Sequence, residues 1–263
     1  MPPGAGGRVT PGIYVTGTDT GVGKTLASAA LLHALRGQGL RANGMKPVAS
    51  GCVRTVDGWR NDDALALLAA GEPGGDYGDT NPYALPAATA PQLAAREAGV
   101  AIDPARLQAA WHRLAARSDA VVVEGVGGWL APLSDDLDQP DLVRMLDLPV
   151  VMVVGLRLGC LSHARLTARA VAAEGCWMPG WIGSAVDPAF ERRDDYLVLL
   201  ERALAPLPCL GVLPWSRTPD PQALSVHLCL PPALTRCATG AGVGSRVAGD
   251  AVHDRREPGH TDP

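Results

Sequence analysis

Lysine is almost missing from this chain of 263 residues: of its 23 basic residues only Lys24 and Lys46 are lysine, and the rest are arginine. Arginine therefore serves wherever any cation will do. The two exceptions become candidates for places where a compact ammonium fits and a wide planar guanidinium does not, although chance alone would also leave two lysines somewhere. Nor is positive charge in surplus. A formal net charge of -4 leaves no long-range field to gather nucleic acid or anionic lipid, so an anionic ligand has to be held locally. The apolar run Val150 to Val154 is followed almost at once by Arg157, far short of the roughly 20 residues that cross a bilayer. The opening MPPGAGGRVTPG lacks the apolar stretch of a secretory signal, so no membrane association is expected and the cytoplasm is the expected address. Six cysteines are scattered without a Cys-x-x-Cys pair, which favours free thiols in a reducing compartment over zinc or disulfides.

What is present is a large apolar fraction, 47%, enough for a sizeable core. Runs of strand length occur at Ile13 to Thr16, Ala120 to Val123, Val150 to Val154, Trp181 to Ile182 and Leu210 to Leu213, with a further strand starting near Arg41. Helical patterns lie between them: Thr25 to Leu35, Asn61 to Ala70, Pro104 to Ala116, Leu161 to Ala173 and Glu191 to Leu204. Strands alternating with helices predict a single α/β domain, a doubly wound, mostly parallel sheet with helices on both faces. The segment between Ala70 and Pro104 reads as a Pro/Gly-rich excursion with little periodicity. A short edge segment is expected near Val226 to Leu230. The domain is expected over residues 10–232, followed over 233–263 by a disordered tail without apolar periodicity.

The first strand runs into G17-T-D-T-G-V-G-K-T25 and then a helix. Backbone N–H groups of such a loop, with the helix N-terminus behind it, wrap a polyphosphate. Lys24 then reaches the β- and γ-phosphates, and the Thr25 hydroxyl is placed for Mg²⁺. Thr18 replaces the first glycine of the strict pattern. Lys46 lies in M45-K-P-V-A-S-G51 at a strand end, where doubly wound folds bind ligands, so Lys46 and Ser50 face the same crevice; a surface lysine before a turn is the plain alternative. Glu124 ends another strand before G125-V-G-G and suits a metal or its waters, unless it is an ordinary rim glutamate. Asp63, in the first turn of a helix, is favoured there by the dipole whether or not a metal is near. The run V153-V-G-L-R-L-G-C-L-S-H163 offers a second helix N-terminus, suited to a carboxylate.

Together these motifs resemble the dethiobiotin synthetase family. The matching stretches are TGTDTGVGKT, MKPVASG, RNDDALAL, NPY (Asn81 to Tyr83), VVVEGVGGWLAPLSD, LPVVMVVGLRLGCLSHARLT, the GW at Gly180 and LGVLPW ending at Trp215, spanning residues 10–232. The resemblance implies a homodimeric P-loop ligase that closes the cyclic urea of dethiobiotin from 7,8-diaminononanoate and CO₂ with ATP and Mg²⁺. Its route is a carbamate attacking the γ-phosphate, and a carbamic–phosphoric anhydride captured by the second amine. By the same resemblance Lys46, Lys24 and Thr20 are catalytic, and Thr25, Asp63 and Glu124 hold Mg²⁺. The nucleotide is held by Gly21, Val22, Gly23, Lys24, Thr25, Leu26, Asp63, Glu124, Gly125, Val126 and Gly127, with Ser184, Leu213, Pro214 and Trp215 around the base. The substrate is held by Thr20 and Ser50, and its carboxylate by Gly159, Cys160, Leu161, Ser162 and Tyr196 across the dimer interface.

Two positions depart from the family pattern. Ser184 stands where an asparagine usually reads adenine, and a hydroxyl cannot make an amide's paired contacts, which implies weaker base discrimination. Ser162 stands where the family often has asparagine, but a hydroxyl can still cap a helix, which implies weaker carboxylate binding. A partitioning-type P-loop ATPase switch is the alternative from another class. Such proteins carry a lysine five residues before the loop lysine, and here that position is Asp19. An amide-forming cobyrinate-type synthetase is a third possibility, but it needs a glutaminase domain for which the chain has no room.

Overall fold

The computed structural model describes residues 12–230. The expected tail over 233–263, and the outermost residues of the expected domain, lie outside the described residues. In chain order the elements are β1 (Gly12–Gly17), α1 (Lys24–Gly37), β2 (Ala42–Met45), β3 (Val48–Ala49), β4 (Val53–Thr55), β5 (Gly58–Arg60), α2 (Asp62–Ala70), α3 (Tyr77–Thr80), β6 (Tyr83–Ala84), α4 (Pro91–Ala98), α5 (Pro104–Ala116) and β7 (Ala120–Glu124). There follow α6 (Gln139–Leu146), β8 (Val150–Gly155), α7 (Cys160–Ala173), β9 (Gly180–Ser184), α8 (Arg193–Leu204), β10 (Cys209–Leu213) and α9 (Pro221–Leu224).

The main sheet has six strands in the order β10-β9-β8-β1-β7-β2, every neighbouring pair parallel. Alternation along the strands divides the core. Ile13 and Val15 of β1 join Val151 and Val153 of β8 on the face covered by α1, α2 and α9. Tyr14, Val121, Val123, Met152 and Val154 join the other face, packed with residues of α4 to α8. Both faces are buried, so β8 reads as an unbroken Val/Met run, as a covered parallel strand must. From β1 the chain leaves to one side of the sheet, to the edge strand β2, and from the neighbouring β8 it leaves to the other, to β9. The carboxyl end of β1 is therefore a topological switch point, where the crevice of a doubly wound sheet opens.

Two expectations need correction. The segment between Ala70 and Pro104 is not featureless, because α3, β6 and α4 lie in it and β6 pairs with β3 in a small second sheet. Elements of two to eight residues are too short to show a period. The edge segment near Val226 starts as a 3-10 turn, Ser225–His227, and reaches the sheet beyond it through an isolated antiparallel bridge from Leu228 to Gly211, with the Cys229 N–H donating to the Leu210 carbonyl at 2.7 Å and Leu228 and Leu230 packed against the core. Gly211 sits at φ +142°, and a Cβ built there would lie 2.0 Å from the His227 carbonyl oxygen. The close approach of this turn is thus permitted by a missing side chain.

Candidate active site

Helix α1 begins at Gly23, which is left-handed at φ +85° and provides no side-chain cap. Its first turn also carries no acidic residue. The N–H groups of that turn thus lack both a capping side chain and an acidic neighbour to answer the positive end of the dipole, an arrangement that favours an anion. Gly23 cannot readily be replaced, since a Cβ there would lie 2.4 Å from Ser184 Oγ. The Lys24 ammonium bends back over the loop and donates to the carbonyls of Asp19, at 2.9 Å, and Gly127, at 2.7 Å. Burial lowers its pKa from 10.5 to about 8, and the neighbouring Lys46 charge pushes the same way.

Lys46 follows β2 and is 3% exposed. Its ammonium donates to Glu124 Oε1 at 2.5 Å, Asp63 Oδ2 at 2.9 Å and the Gly125 carbonyl at 3.1 Å. Burial alone would lower its pKa, but the charges and hydrogen bonds of Glu124 and Asp63 outweigh that and raise it. Asp63 shows the converse: burial works against its charge, yet Lys46 and Thr25 hold its carboxyl below the ordinary range. The Thr25 hydroxyl lies 2.7 Å from Asp63 Oδ1 and 3.0 Å from Glu124 Oε1, and with one proton it donates to one of them at a time. Glu124 Oε2 is buried without a hydrogen-bond partner among the described residues. Three oxygen-bearing side chains thus converge where a cation already sits, and one buried carboxylate oxygen is still unsatisfied. That donor set fits a hard divalent ion such as Mg²⁺.

These residues border a cavity of about 980 Å³. Its walls include Thr20, Gly21, Gly23, Lys24, Thr25 and Leu26 from the loop and α1, Lys46 and Ser50 after β2, Asp63, and Glu124 at the end of β7 with Val126 and Gly127 after it. Trp215 lies at its margin with Val186. Val22 is buried behind the loop, and Gly125 contributes its carbonyl to Lys46. Ser184, 2% exposed, lies beneath Gly23, and Leu213 is fully buried in the core. Neither they nor Pro214 line the cavity.

Gly159, Cys160, Leu161, Ser162 and Tyr196 also stand outside the cavity walls of the single chain. Gly159, left-handed at φ +95°, begins α7 without a side-chain cap, much as Gly23 begins α1. Ser162 therefore does not cap this helix, correcting that expectation: the cap position belongs to Gly159, and Ser162 is an exposed residue of the first turn. Tyr196, half-buried, packs edge-on against Phe190 at 4.8 Å.

Several contributors leave little or no mark in the sequence. Asn81 donates to the Lys46 carbonyl at 2.7 Å, and the Lys46 N–H donates to Thr80 at 2.6 Å, so the lysine backbone is held from both sides. Asn81 lies within the NPY stretch, the one signal that points to it. Arg157 closes onto Asp19 at 2.6 Å, tying the β8–α7 loop to the phosphate loop. Asn61, Ala49 and the segment Ala88 to Pro91 complete the cavity wall.

Residues 11–223 match a family described as AAA domain. The chain is 58% identical over 221 residues to ATP-dependent dethiobiotin synthetase of Xanthomonas campestris pv. campestris, covering 84% of this chain and 98% of that protein. It is also 58% identical over 201 residues to the ATP-dependent dethiobiotin synthetase of Xylella fastidiosa, covering 76% of this chain and 88% of that one. Among solved structures, the septum site-determining protein MinD from Pyrococcus horikoshii, complexed with Mg-ADP, aligns at a TM-score of 0.48 and 15% identity, covering 87% of this chain and 94% of that chain. With such identity across nearly the whole length of its relatives, the chain belongs to the ATP-dependent dethiobiotin synthetase family.

Proposed function

We propose that this protein is an ATP-dependent ligase that closes the cyclic urea of dethiobiotin from 7,8-diaminononanoate and CO₂, releasing ADP and phosphate. The observation that carries this is the convergence of two scarce lysines on one cavity, Lys24 over the phosphate loop and Lys46 among Thr25, Asp63 and Glu124. The cavity, at about 980 Å³, is large enough for a nucleotide beside a small diamine.

One amine of the diamine takes up CO₂ to give a carbamate and a proton. A carbamate oxygen attacks the γ-phosphorus, ADP leaves, and a carbamic–phosphoric anhydride results. The second amine then attacks the carbonyl carbon, expelling phosphate and closing the ring. Carbamate and triphosphate are both anions, so the cations and N–H donors at their junction lower the barrier most. Lys46 reaches that junction from β2, Lys24 and the uncapped start of α1 hold the β- and γ-phosphates, and Thr20 and Ser50 face the diamine. Thr25, Asp63 and Glu124 would hold Mg²⁺, which would supply positive charge to the phosphates.

The start of α7 and Tyr196 bind the carboxylate of a substrate seated in the other protomer of a homodimer. Exposed Leu158 before α7, Leu166 on it, and Val198 and Leu199 on α8 support burial of this region against a second copy. Free cysteines suit a reducing cytoplasm, and no helix among the described residues is long and apolar enough to cross a membrane. A partitioning-type switch has less support, because the position of its second lysine holds Asp19, which is already paired with Arg157.

The test is incubation with 7,8-diaminononanoate, bicarbonate, ATP and Mg²⁺, followed by mass spectrometry. A cyclic urea with one ADP formed per ring is expected. Equal hydrolysis of ATP without the diamine, and no cyclic urea, would overturn the assignment.

A further inference from the structure

The loop after Glu124 supplies a carbonyl to each lysine: Gly125 to Lys46 at 3.1 Å and Gly127 to Lys24 at 2.7 Å. Something must hold that loop, and the structure shows one side chain doing so from within. Gln139, the first residue of α6, is 0% exposed. Its Oε1 accepts from the Val126 N–H at 2.9 Å and from the Tyr14 hydroxyl at 2.6 Å. Its Nε2 faces the carbonyls of Val126 at 2.9 Å, Gly128 at 2.6 Å and Ala131 at 3.2 Å. A primary amide is the side chain that offers two donors and two acceptor lone pairs at one tip, which is what a buried turn of backbone requires.

Tyr14 ties the arrangement to β1, the strand that feeds the phosphate loop, and Trp129 from the held loop packs edge-on against its ring at 6.2 Å. Burial, and then the Glu124 charge, push the Tyr14 hydroxyl well above the ordinary tyrosine range, so it stays a donor. The contact is close: a Cβ at Gly125 would lie 2.3 Å from Gln139 Oε1 and 2.6 Å from the Tyr14 hydroxyl.

We propose that Gln139, braced by Tyr14, is a positioning residue for phosphoryl transfer, shaping the Gly125–Gly128 turn so that its carbonyls aim Lys46 and Lys24 at the nucleotide. The role of the two lysines is that given under the proposed function; the geometry of the turn stands independently of it. Replacing the amide by a hydrocarbon leaves the loop carbonyls unsatisfied and frees the turn, which displaces both ammonium groups while leaving the diamine's own contacts in place.

The experiment compares the full-length wild type with Gln139→Leu and Tyr14→Phe. For Gln139→Leu, kcat should fall by at least about tenfold, since small misplacements of catalytic groups are costly. The KM for the diamine should move by less than about threefold, separating positioning from binding. Amide exchange at Val126 should speed by about tenfold or more while β1 and β8 keep their protection, since a freed turn opens locally. Tyr14→Phe should lose less, because Gln139 keeps its backbone contacts. If Gln139→Leu does not fold, Tyr14→Phe decides: a fall in kcat with unchanged KM supports the role, and no fall overturns it. Wild-type turnover in a folded Gln139→Leu, or exchange accelerated uniformly over the sheet, would also overturn it. A wild type that makes no cyclic urea would instead defeat the functional assignment, and local exchange at Val126 with weakened Mg-ATP affinity would still report on the turn.

Discussion

Replacing Lys46 by arginine conserves charge and tests whether a compact ammonium is required. The Lys46 nitrogen has three acceptors within 2.5 to 3.1 Å, on Glu124, Asp63 and the Gly125 carbonyl, and the side chain is 3% exposed. Its backbone cannot retreat, since Thr80 and Asn81 hold its N–H and carbonyl. A guanidinium spreads its charge over a plane with five donors. It would press on Glu124 and Gly125 or swing into the cavity, and in either case the cation leaves the point where, on the proposed route, carbamate and phosphoryl group meet. A correctly placed donor at such a point contributes about 2.7–4 kcal/mol to the transition state, so turnover should fall by roughly a hundredfold or more. Ring closure followed by mass spectrometry at saturating substrates gives kcat, and a circular dichroism melt on the same sample checks the fold. Turnover near wild type in Lys46→Arg would refute the reasoning and reduce the scarcity of lysine to coincidence.

Three further outcomes are expected. By the family resemblance Ser184 stands where an amide would read the base, and it lies buried beneath Gly23 rather than on the cavity wall, so GTP or CTP should support turnover within roughly tenfold of ATP in kcat/KM, about 1.4 kcal/mol, and Ser184→Asn should widen the gap; a thousandfold preference of the wild type for ATP would sink this. Truncation after Pro232 should leave melting temperature and activity nearly unchanged, because the sequence beyond it has no apolar periodicity with which to join a core, and a drop of several degrees would show docking. A Cβ at Gly12 would lie 2.2 Å from the buried Trp111 ring, so Gly12→Ala should cost about 1–3 kcal/mol by overpacking, seen as a lower melting temperature with kcat intact.

Features whose causes are adjacent in the chain are legible in the sequence. The phosphate loop is one, because strand, glycines, lysine and helix follow one another within 12–37 and each residue acts through its neighbours' backbone. The buried parallel strands are another, because covering both faces writes itself as an apolar run. The excursion between Ala70 and Pro104 is not legible in this way, since α3, β6 and α4 are too short to repeat a pattern.

Asp63 and Glu124 stand between the two cases. Each is an ordinary acid by its local sequence, and each joins the cluster around Lys46 when the sheet closes 38 and 99 residues of chain to bring it to the Thr25 hydroxyl. The Tyr14–Gln139 contact spans 125 residues and leaves no local trace, because a glutamine at a helix start looks the same whether it faces water or a buried turn. The sequence by itself therefore determined the strands of the main parallel sheet, the longer helices between them, the phosphate loop, and the scarcity that singles out Lys24 and Lys46. Only the tertiary structure decided which acids surround Lys46 and which amide holds the loop beside it, because hydrogen bonds and charges act through space, and the parallel sheet alone sets which distant residues share it.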